Sequence, residues 1–422
     1  MLTVVRNVWA LLLGIFLLMI GNGMHGTLLG VRGASEFESA ATMSWVISGY
    51  FVGFLGGSRL APELIRRVGH VRVFAALGSL ISAALVLFPV FPNALFWIFL
   101  RVVIGFCFSG VYVVAESWLN DNSANETRGK TLSVYIIVQL LGVISAQAML
   151  NLGDPGGYLL FVIASVLVSV SFAPILLSVS PAPITEMAPP MSLRRLIRIS
   201  PLGAVGSFCI GALFSGMWGM SPVYGTEIGL SVAQISLFVA TIYIGGMLCQ
   251  FPIGWLSDRM DRRHLVLATT GILAVVTVTG SMLSGSFELL LLIAFLIGAL
   301  INPLYSLIIA FTNDILDPGD MASAAGCLIF IQGVGAIGGP LAVGLCMLVI
   351  GPNGFFIYLS IVAASLAAFT LYRMSVRAAI TVDQPAIFTP VSQTSSPVAV
   401  DMAQEIAIEP QLQNSDEAGS GA

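Results

Sequence analysis

The sequence predicts an all-α membrane protein of twelve transmembrane helices in two pseudo-symmetric six-helix halves. Three observations predict it. Hydrophobic residues make up 57% of the 422 positions and charged residues 9%, with a mean hydropathy of +0.97. A soluble domain carries about 25% charged residues, so this chain cannot build a water-facing globular surface. The apolar residues fall into long runs, each near the roughly 20 residues that cross a hydrocarbon core. The basic residues then alternate. Of seventeen Lys and Arg, fifteen lie in alternate gaps between runs, within four residues of those gaps, or at the two ends; Arg32 lies on the other side and Arg101 deeper inside a run. Cytoplasmic loops retain Lys and Arg, so both termini are expected in the cytoplasm.

The expected spans are, in order, 7–31, 41–62, 72–91, 94–118, 131–151, 157–179, 201–224, 231–256, 264–284, 287–312, 322–350 and 354–376. The first follows Arg6 and lacks a small-residue cleavage pattern, so it reads as a retained helix rather than a signal peptide. Pro303 and Pro340 each remove a backbone bond inside a long late span, where a kink is expected. Outer gaps hold Arg32, Glu36, Glu38, Asp154, Glu227 and Glu288. Inner gaps hold Arg66, Arg67 and Arg72, then Arg128 and Lys130, then Arg194, Arg195 and Arg198, then Arg259, Arg262 and Arg263. The gap after the tenth span breaks the pattern with Asp314, Asp317 and Asp320, but acids weigh little in orientation.

The domain plan follows. Residues 1–179 form the first six-helix bundle, and 180–200 a Pro- and Ser-rich cytoplasmic linker. Its end, Leu193 to Ile199, is a short basic amphipathic helix expected on the membrane face. Residues 201–377 form the second bundle. Residues 378–422 carry six acids, four prolines and no Lys or Arg, and are expected to be a disordered acidic cytoplasmic tail.

An internal repeat supports the halves. A shift of 193 residues pairs Met24–Gly26 with Met217–Gly219, Tyr50 with Tyr243, Gly53 with Gly246, and Gly105 with Gly298. It also pairs Tyr112 with Tyr305, Asn120–Asp121 with Asn313–Asp314, Gln139 with Gln332, and Gly142 with Gly335. Parallel repeats of this size mark one architecture of secondary transporters.

Other function classes find little support. No basic run exceeds two residues, so no nucleic-acid partner is expected. The five cysteines, Cys107, Cys209, Cys249, Cys327 and Cys346, all lie in apolar runs without metal-ligand spacing, and read as small apolar fillers. No zinc-binding, phosphate-cradling or nucleophile-elbow motif occurs. No enzyme activity, metal or cofactor is expected.

The sharpest motif joins the eighth and ninth spans: Gly254, Leu256, Asp258, Arg259, Asp261, Arg262 and Arg263. An Asp ending one helix can hold a loop Arg and the end of a neighbouring helix in one charge network, latching the cytoplasmic side. Here the chain resembles the major facilitator superfamily, whose signature reads Gly-x-Leu-x-Asp-Arg-x-Gly-Arg-Arg; Asp261 stands where the family usually has Gly. The first-half copy, Pro62-Glu63-Leu64-Ile65-Arg66-Arg67-Val68-Gly69-His70, has Arg66 in place of the signature Asp. Glu116 or Asp121 could supply the missing acid to Arg66 or Arg67. The expected cytoplasmic gate is therefore Arg66, Arg67, Asp121, Asp258, Arg259, Arg262 and Asp314, unless these arginines only fix topology.

Arg101-Val-Val-Ile-Gly105 resembles the Arg-x-x-Gln-Gly of the superfamily's fourth helix, with Ile104 replacing Gln. A guanidinium inside the bilayer costs about 2.5–3.5 kcal/mol on insertion scales. Arg101 is expected to contact a substrate anion or a proton relay, or else to reach the outer headgroups. His25, Arg101 and Glu116 are the expected buried ionisable groups. Glu116 and His25 are candidates for proton coupling, against structural roles as a latch and an interhelical strut. The resemblance implies that helices 1, 4, 7 and 10 line a central cavity, supported by 2, 5, 8 and 11. It nominates Asn22, His25, Tyr112, Gln139, Trp218, Gln250, Asn302, Tyr305 and Gln332, beside Arg101, as substrate-binding residues. Gly49-Tyr50-Phe51, Arg66-Arg67-Val68-Gly69-His70 and Ala115-Glu116-Ser117-Trp118-Leu119-Asn120 further resemble a bacterial branch, the YcaD-like facilitators.

The expected function is a secondary active transporter moving a small solute by alternating access. Proton coupling and a polar or anionic metabolite are favoured. The alternatives are efflux of amphipathic compounds, or a non-transporting receptor or scaffold of the same fold. The expected setting is the bacterial inner membrane, as a monomer, with the lipid bilayer, the solute and the proton as partners.

Overall fold

The computed structural model describes residues 2–37, 39–121, 123, 125–176, 191–282, 285–376 and 388–406. Residues 177–179 of the first bundle, 180–190 of the linker, 377 of the second bundle, and 378–387 and 407–422 of the tail lie outside the described residues. The first half comprises α1 (Leu2–Glu36), α2 (Ala40–Val68), α3 (His70–Leu87), α4 (Ala94–Asp121), α5 (Asn125–Met149) and α6 (Leu159–Leu176). A short α7 (Leu193–Ile199) leads into the second half: α8 (Pro201–Glu227), α9 (Val232–Ser257), α10 (Arg262–Met282), α11 (Phe287–Asn313), α12 (Met321–Ile350) and α13 (Gly354–Val376). Eleven of these helices are long and apolar enough to span a membrane, and α6 is a shorter apolar helix. Helices dominate because lipid offers backbone N–H and C=O groups no partners, so each span must satisfy its own.

The amphipathic stretch forms the expected helix, residue for residue. Ser192 caps α7 by accepting from the Arg195 amide, and Leu196 is fully buried against Met191, Leu316, Met321 and Leu328. Arg195 pairs with Asp320 at 2.5 Å.

The repeat shows its purpose in helix packing. A side chain at Gly105 on α4 would place its Cβ 1.9 Å from the Tyr50 carbonyl on α2. Its repeat mate Gly298 on α11 would meet the Ile242 carbonyl on α9 at 1.7 Å. The two halves thus use one device: a glycine lets two backbones touch where any side chain would separate them. We expect Gly105→Val to cost about 3 kcal/mol or more, since the obstacle is backbone and cannot rotate away. Fluorescence-detected size exclusion should show loss of the monodisperse peak; a wild-type profile would mean that α2 and α4 are free to separate.

The first and last helical ends place both described termini of the bundle on one face. On the opposite face the halves meet directly. Ser48 of α2 donates to the Ile337 carbonyl of α12 at 2.9 Å, and Gly30 of α1 abuts Pro222 of α8. On the terminus-bearing face, the tail itself stands between the halves. Residues 388–406 are built into the bundle, with a helix over 397–406. This corrects the expectation of disorder across 378–422 for the part described. The tail's average composition is polar and acidic, but 388–400 contain no charged residue. Val391, Val398, Ala399, Val400 and Met402 supply enough apolar surface to bury.

Candidate functional site

A cavity lies between the halves, closed toward the face opposite the termini. Its walls come from α1 (Met19, Asn22), α2 (Tyr50, Phe51), α4 (Tyr112) and α5 (Ile136, Gln139, Leu140, Val143). The second half adds Phe214 and Trp218 of α8, Tyr243 and Gln250 of α9, and Asn302 of α11. Its floor, toward the terminus-bearing face, is Val391–Thr394 of the tail. The volume is about 70 Å³, below the ~300–1,000 Å³ of pockets that enclose a small molecule. A smaller cavity beside it is lined by Phe54, Leu55, Gln332 and Gly333, again with Gln393 and Thr394 of the tail.

Six nominated residues share the main cavity: Asn22, Tyr112, Gln139, Trp218, Gln250 and Asn302. Gln250 donates to Ser306 Oγ at 3.1 Å, and Asn302 donates to the Gly298 carbonyl at 3.0 Å. The Oδ1 of Asn22 and the Nε2 of Gln139 are buried without hydrogen-bond partners, leaving one acceptor and one donor at the wall. Gln332 sits at the smaller cavity and donates to the Gln393 carbonyl at 3.0 Å. Tyr305 is fully buried and lines neither cavity.

His25 and Arg101 lie behind the closed end rather than on the wall. The Arg101 guanidinium carbon is 4.6 Å from the Tyr50 ring centroid and 5.6 Å from that of Trp218. These two rings therefore separate Arg101 from the cavity. Arg101 is 1% exposed, and its Nε and Nη1 have no hydrogen-bond partner. Cation–π contact is worth up to ~2 kcal/mol when desolvated, which offsets only part of burying a charge. His25 packs on Phe88, with ring centroids 4.8 Å apart, and neither ring nitrogen has a partner.

Residue-by-residue nomination missed Tyr50, Phe51, Phe214 and Tyr243. The repeat already held a signal, because Tyr50 and Tyr243 are mates across the 193-residue shift. Both line the cavity, from corresponding positions of α2 and α9.

Glu116 is fully buried near the inner end of α4. Its Oε1 accepts from the Tyr135 hydroxyl at 3.1 Å and its Oε2 from the Ser396 amide at 2.8 Å. Glu116 does not reach the first-half arginines. Arg66 and Arg67 are largely exposed and pair with Glu63 on their own helix. Glu63 lies one turn away on the same exposed face, whereas Glu116 points into the bundle. Asp121 lies within electrostatic reach of His70, the residue that the repeat aligns with Arg263.

The second-half charges do converge. Arg262, 3% exposed, donates to Asp314 at 2.5 Å, to the Ala310 carbonyl at 3.2 Å and to Asp258 at 3.4 Å. The signature loop is thereby tied to the end of α11. Arg259 takes no part among these contacts; it stacks on Trp255 at 4.1 Å and donates to that residue's carbonyl. Asp261 is held below the usual carboxylate range, because the Arg263 side chain and amide outweigh its partial burial. Among the described residues no group of three or more His, Cys, Asp or Glu is placed to hold a metal ion.

Two repeated helical bundles around a central cavity, with a charged loop tied to the end of α11, define a secondary-transporter fold. The family model described as Major Facilitator Superfamily matches residues 11–231 and 203–401. The chain belongs to the major facilitator superfamily. It is 25% identical over 365 residues to the MFS-type transporter YcaD of Escherichia coli O6:K15:H31, covering 86% of this chain and 94% of that one. To the protein of the same name from Salmonella arizonae it is 24% identical over 367 residues, with the same coverage. Among solved structures, a D-xylose–proton symporter superposes with a TM-score of 0.69 at 14% identity, covering 86% of this chain and 96% of that one. The nucleoside transporter NupG does so at 0.68 and 15% identity, with coverage of 87% and 98%.

Proposed function

We propose that this protein is a secondary active carrier of a small polar solute bearing an anionic group, moved by alternating access and driven by a proton gradient. One observation carries the solute class: a buried Arg101 without hydrogen-bond partners at Nε and Nη1, just beyond the closed end of a cavity walled by both halves. An anion entering that end would supply the missing acceptors, and buried charge-assisted bonds of this kind are strong. Asn22, Gln139, Gln250 and Asn302 suit the solute's hydroxyl or amide groups, and Tyr50, Trp218 and Tyr243 its flat faces. The titratable Glu116 is the candidate proton carrier. The superposition on a D-xylose–proton symporter supports that reading. We place the chain in a bacterial inner membrane with both termini cytoplasmic, on the basic residues of the terminus-bearing face. One chain suffices, because both halves of the pathway belong to it.

The apolar wall of Phe51, Ile136, Leu140, Val143 and Phe214 favours a second reading, efflux of amphipathic compounds. A thermal-shift screen of the purified protein separates the two. Carboxylate- or phosphate-bearing metabolites should raise the melting temperature by at least about 3 °C, the effect of a ligand well above its Kd. Shifts from amphipathic cations alone would remove the anionic-solute reading.

A further inference from the structure

We propose that the terminus-bearing mouth of the pathway is a peptide-docking groove, and that its occupant is the chain's own segment 388–406, which plugs the pathway. The segment enters along the signature loop. The Phe388 ring lies over Gly254, and its amide donates to Asp258 Oδ1 at 2.8 Å, the same oxygen that Arg262 reaches. It then runs inward to a tight turn. Ser306 Oγ of α11 accepts from the Val391 amide at 3.0 Å, Gln393 donates to the Ile301 carbonyl at 3.1 Å, and Gln332 of α12 donates to the Gln393 carbonyl. The turn is closed by the Ser395 amide on the Ser392 carbonyl. From there the segment returns. Ser396 caps the 397–406 helix by accepting from the Val398 amide, while its own amide donates to Glu116. Gln404 donates to Asn313 at 3.0 Å, and Glu405 pairs with Arg128.

Three features make this a built site rather than a chance contact. The segment's polar groups meet partners on α4, α5, α11 and α12 and on Asp258 at the end of α9, drawn from both halves. Its apolar residues Val391, Val398, Ala399, Val400, Met402 and Ala403 are each at most 5% exposed. Its turn supplies the floor of the central cavity, so a solute entering from this face meets residues 391–394 first. The docked segment also opposes the rocking step. The inner ends of α4 and α11 must approach when this face closes, and Ser396 and Gln404 stand between Glu116 and Asn313. The segment engages Asp258 as well, sharing the oxygen that Arg262 reaches in the signature loop. A plug that occupies the pathway and wedges the halves apart holds the carrier in one state until it leaves.

The consequence for transport rests on the carrier reading, but docking is tested without any solute. Two cysteine reporters are placed separately, Ser306→Cys on the wall and Ser396→Cys on the segment, and labelled with a membrane-impermeant methanethiosulfonate in inverted vesicles. The chain without a reporter gives the background from native cysteines. Each reporter is compared with the same chain carrying Val398→Asp, which places a charge where the segment packs against the bundle. Labelling of both reporters should quicken at least tenfold, and an added synthetic peptide of residues 388–406 should slow it again at Ser306→Cys. Equal labelling rates with and without Val398→Asp, at either reporter, would overturn the plug. If the rates differ as expected but the protein moves no solute even with Val398→Asp, the carrier reading fails and the docking stands.

Discussion

Arg101→Ala is expected to cut solute uptake into membrane vesicles by at least about 30-fold, with the amount of protein in the membrane unchanged. Truncating one partner of a buried charge interaction costs ~2–5 kcal/mol, and 1.4 kcal/mol is a factor of ten. The protein should still fold, because Arg101 makes ring contacts to Tyr50 and Trp218 rather than an ion pair that its loss would orphan. Removing an uncompensated buried charge relieves a burial cost and leaves no stranded carboxylate behind. Arg101→Lys is the sharper control. It keeps the charge and loses the planar fork that stacks on the rings and binds a carboxylate or phosphate in two places. It should recover only part of the uptake. Unchanged uptake in Arg101→Ala would remove the arginine from solute binding and leave it a structural cation held by two aromatic faces.

Glu116→Gln is expected to separate exchange from accumulation. Counterflow, in which labelled solute outside exchanges for unlabelled solute inside, should continue near the wild-type rate. Accumulation driven by an imposed proton gradient should fall at least tenfold. The substitution is nearly isosteric. The amide oxygen still accepts from the Ser396 amide, and the other polar atom can still meet the Tyr135 hydroxyl, so packing around α4 and the tail is retained. Only the exchangeable charge is lost, and a coupling site needs that charge to be taken up on one side and released on the other. Equal loss of exchange and accumulation would assign Glu116 a structural role instead. The same carboxylate accepts from the amide of Ser396, the residue that caps the tail helix, so the proposed proton carrier is also a contact of the proposed plug.

The candidate site was legible in part, and the misses share a cause. Polar residues within apolar runs are conspicuous, so Asn22, Gln139, Gln250 and Asn302 could be nominated from the sequence and do line the cavity. His25 is equally conspicuous but lies against Phe88, one helix turn from Asn22 and behind the wall. Tyr305 is the repeat mate of Tyr112, yet only Tyr112 reaches the cavity. Which way a buried side chain points depends on the rotation of its helix, and the apolar pattern of a membrane helix fixes that rotation weakly because lipid and protein interior are similarly apolar. Arg66 and Arg67 show a related limit. Charge alone makes them latch candidates, and the proximity of Glu63 decides their partner.

The sequence by itself determined the number of spans, the two repeated halves, the alternation of basic residues between faces and the glycines at which helices cross. Each follows from local physics: lipid forces continuous helices, positive charge stays on one side, and a missing Cβ permits backbone contact. The tertiary structure alone decided which polar groups meet at the cavity, that Arg101 stands behind two aromatic rings, and that an uncharged stretch of the tail folds back into the pathway. Those outcomes depend on surfaces brought together from distant parts of the chain. A segment such as 388–406 reads as unstructured in isolation because its burial comes entirely from a groove that neither half presents alone.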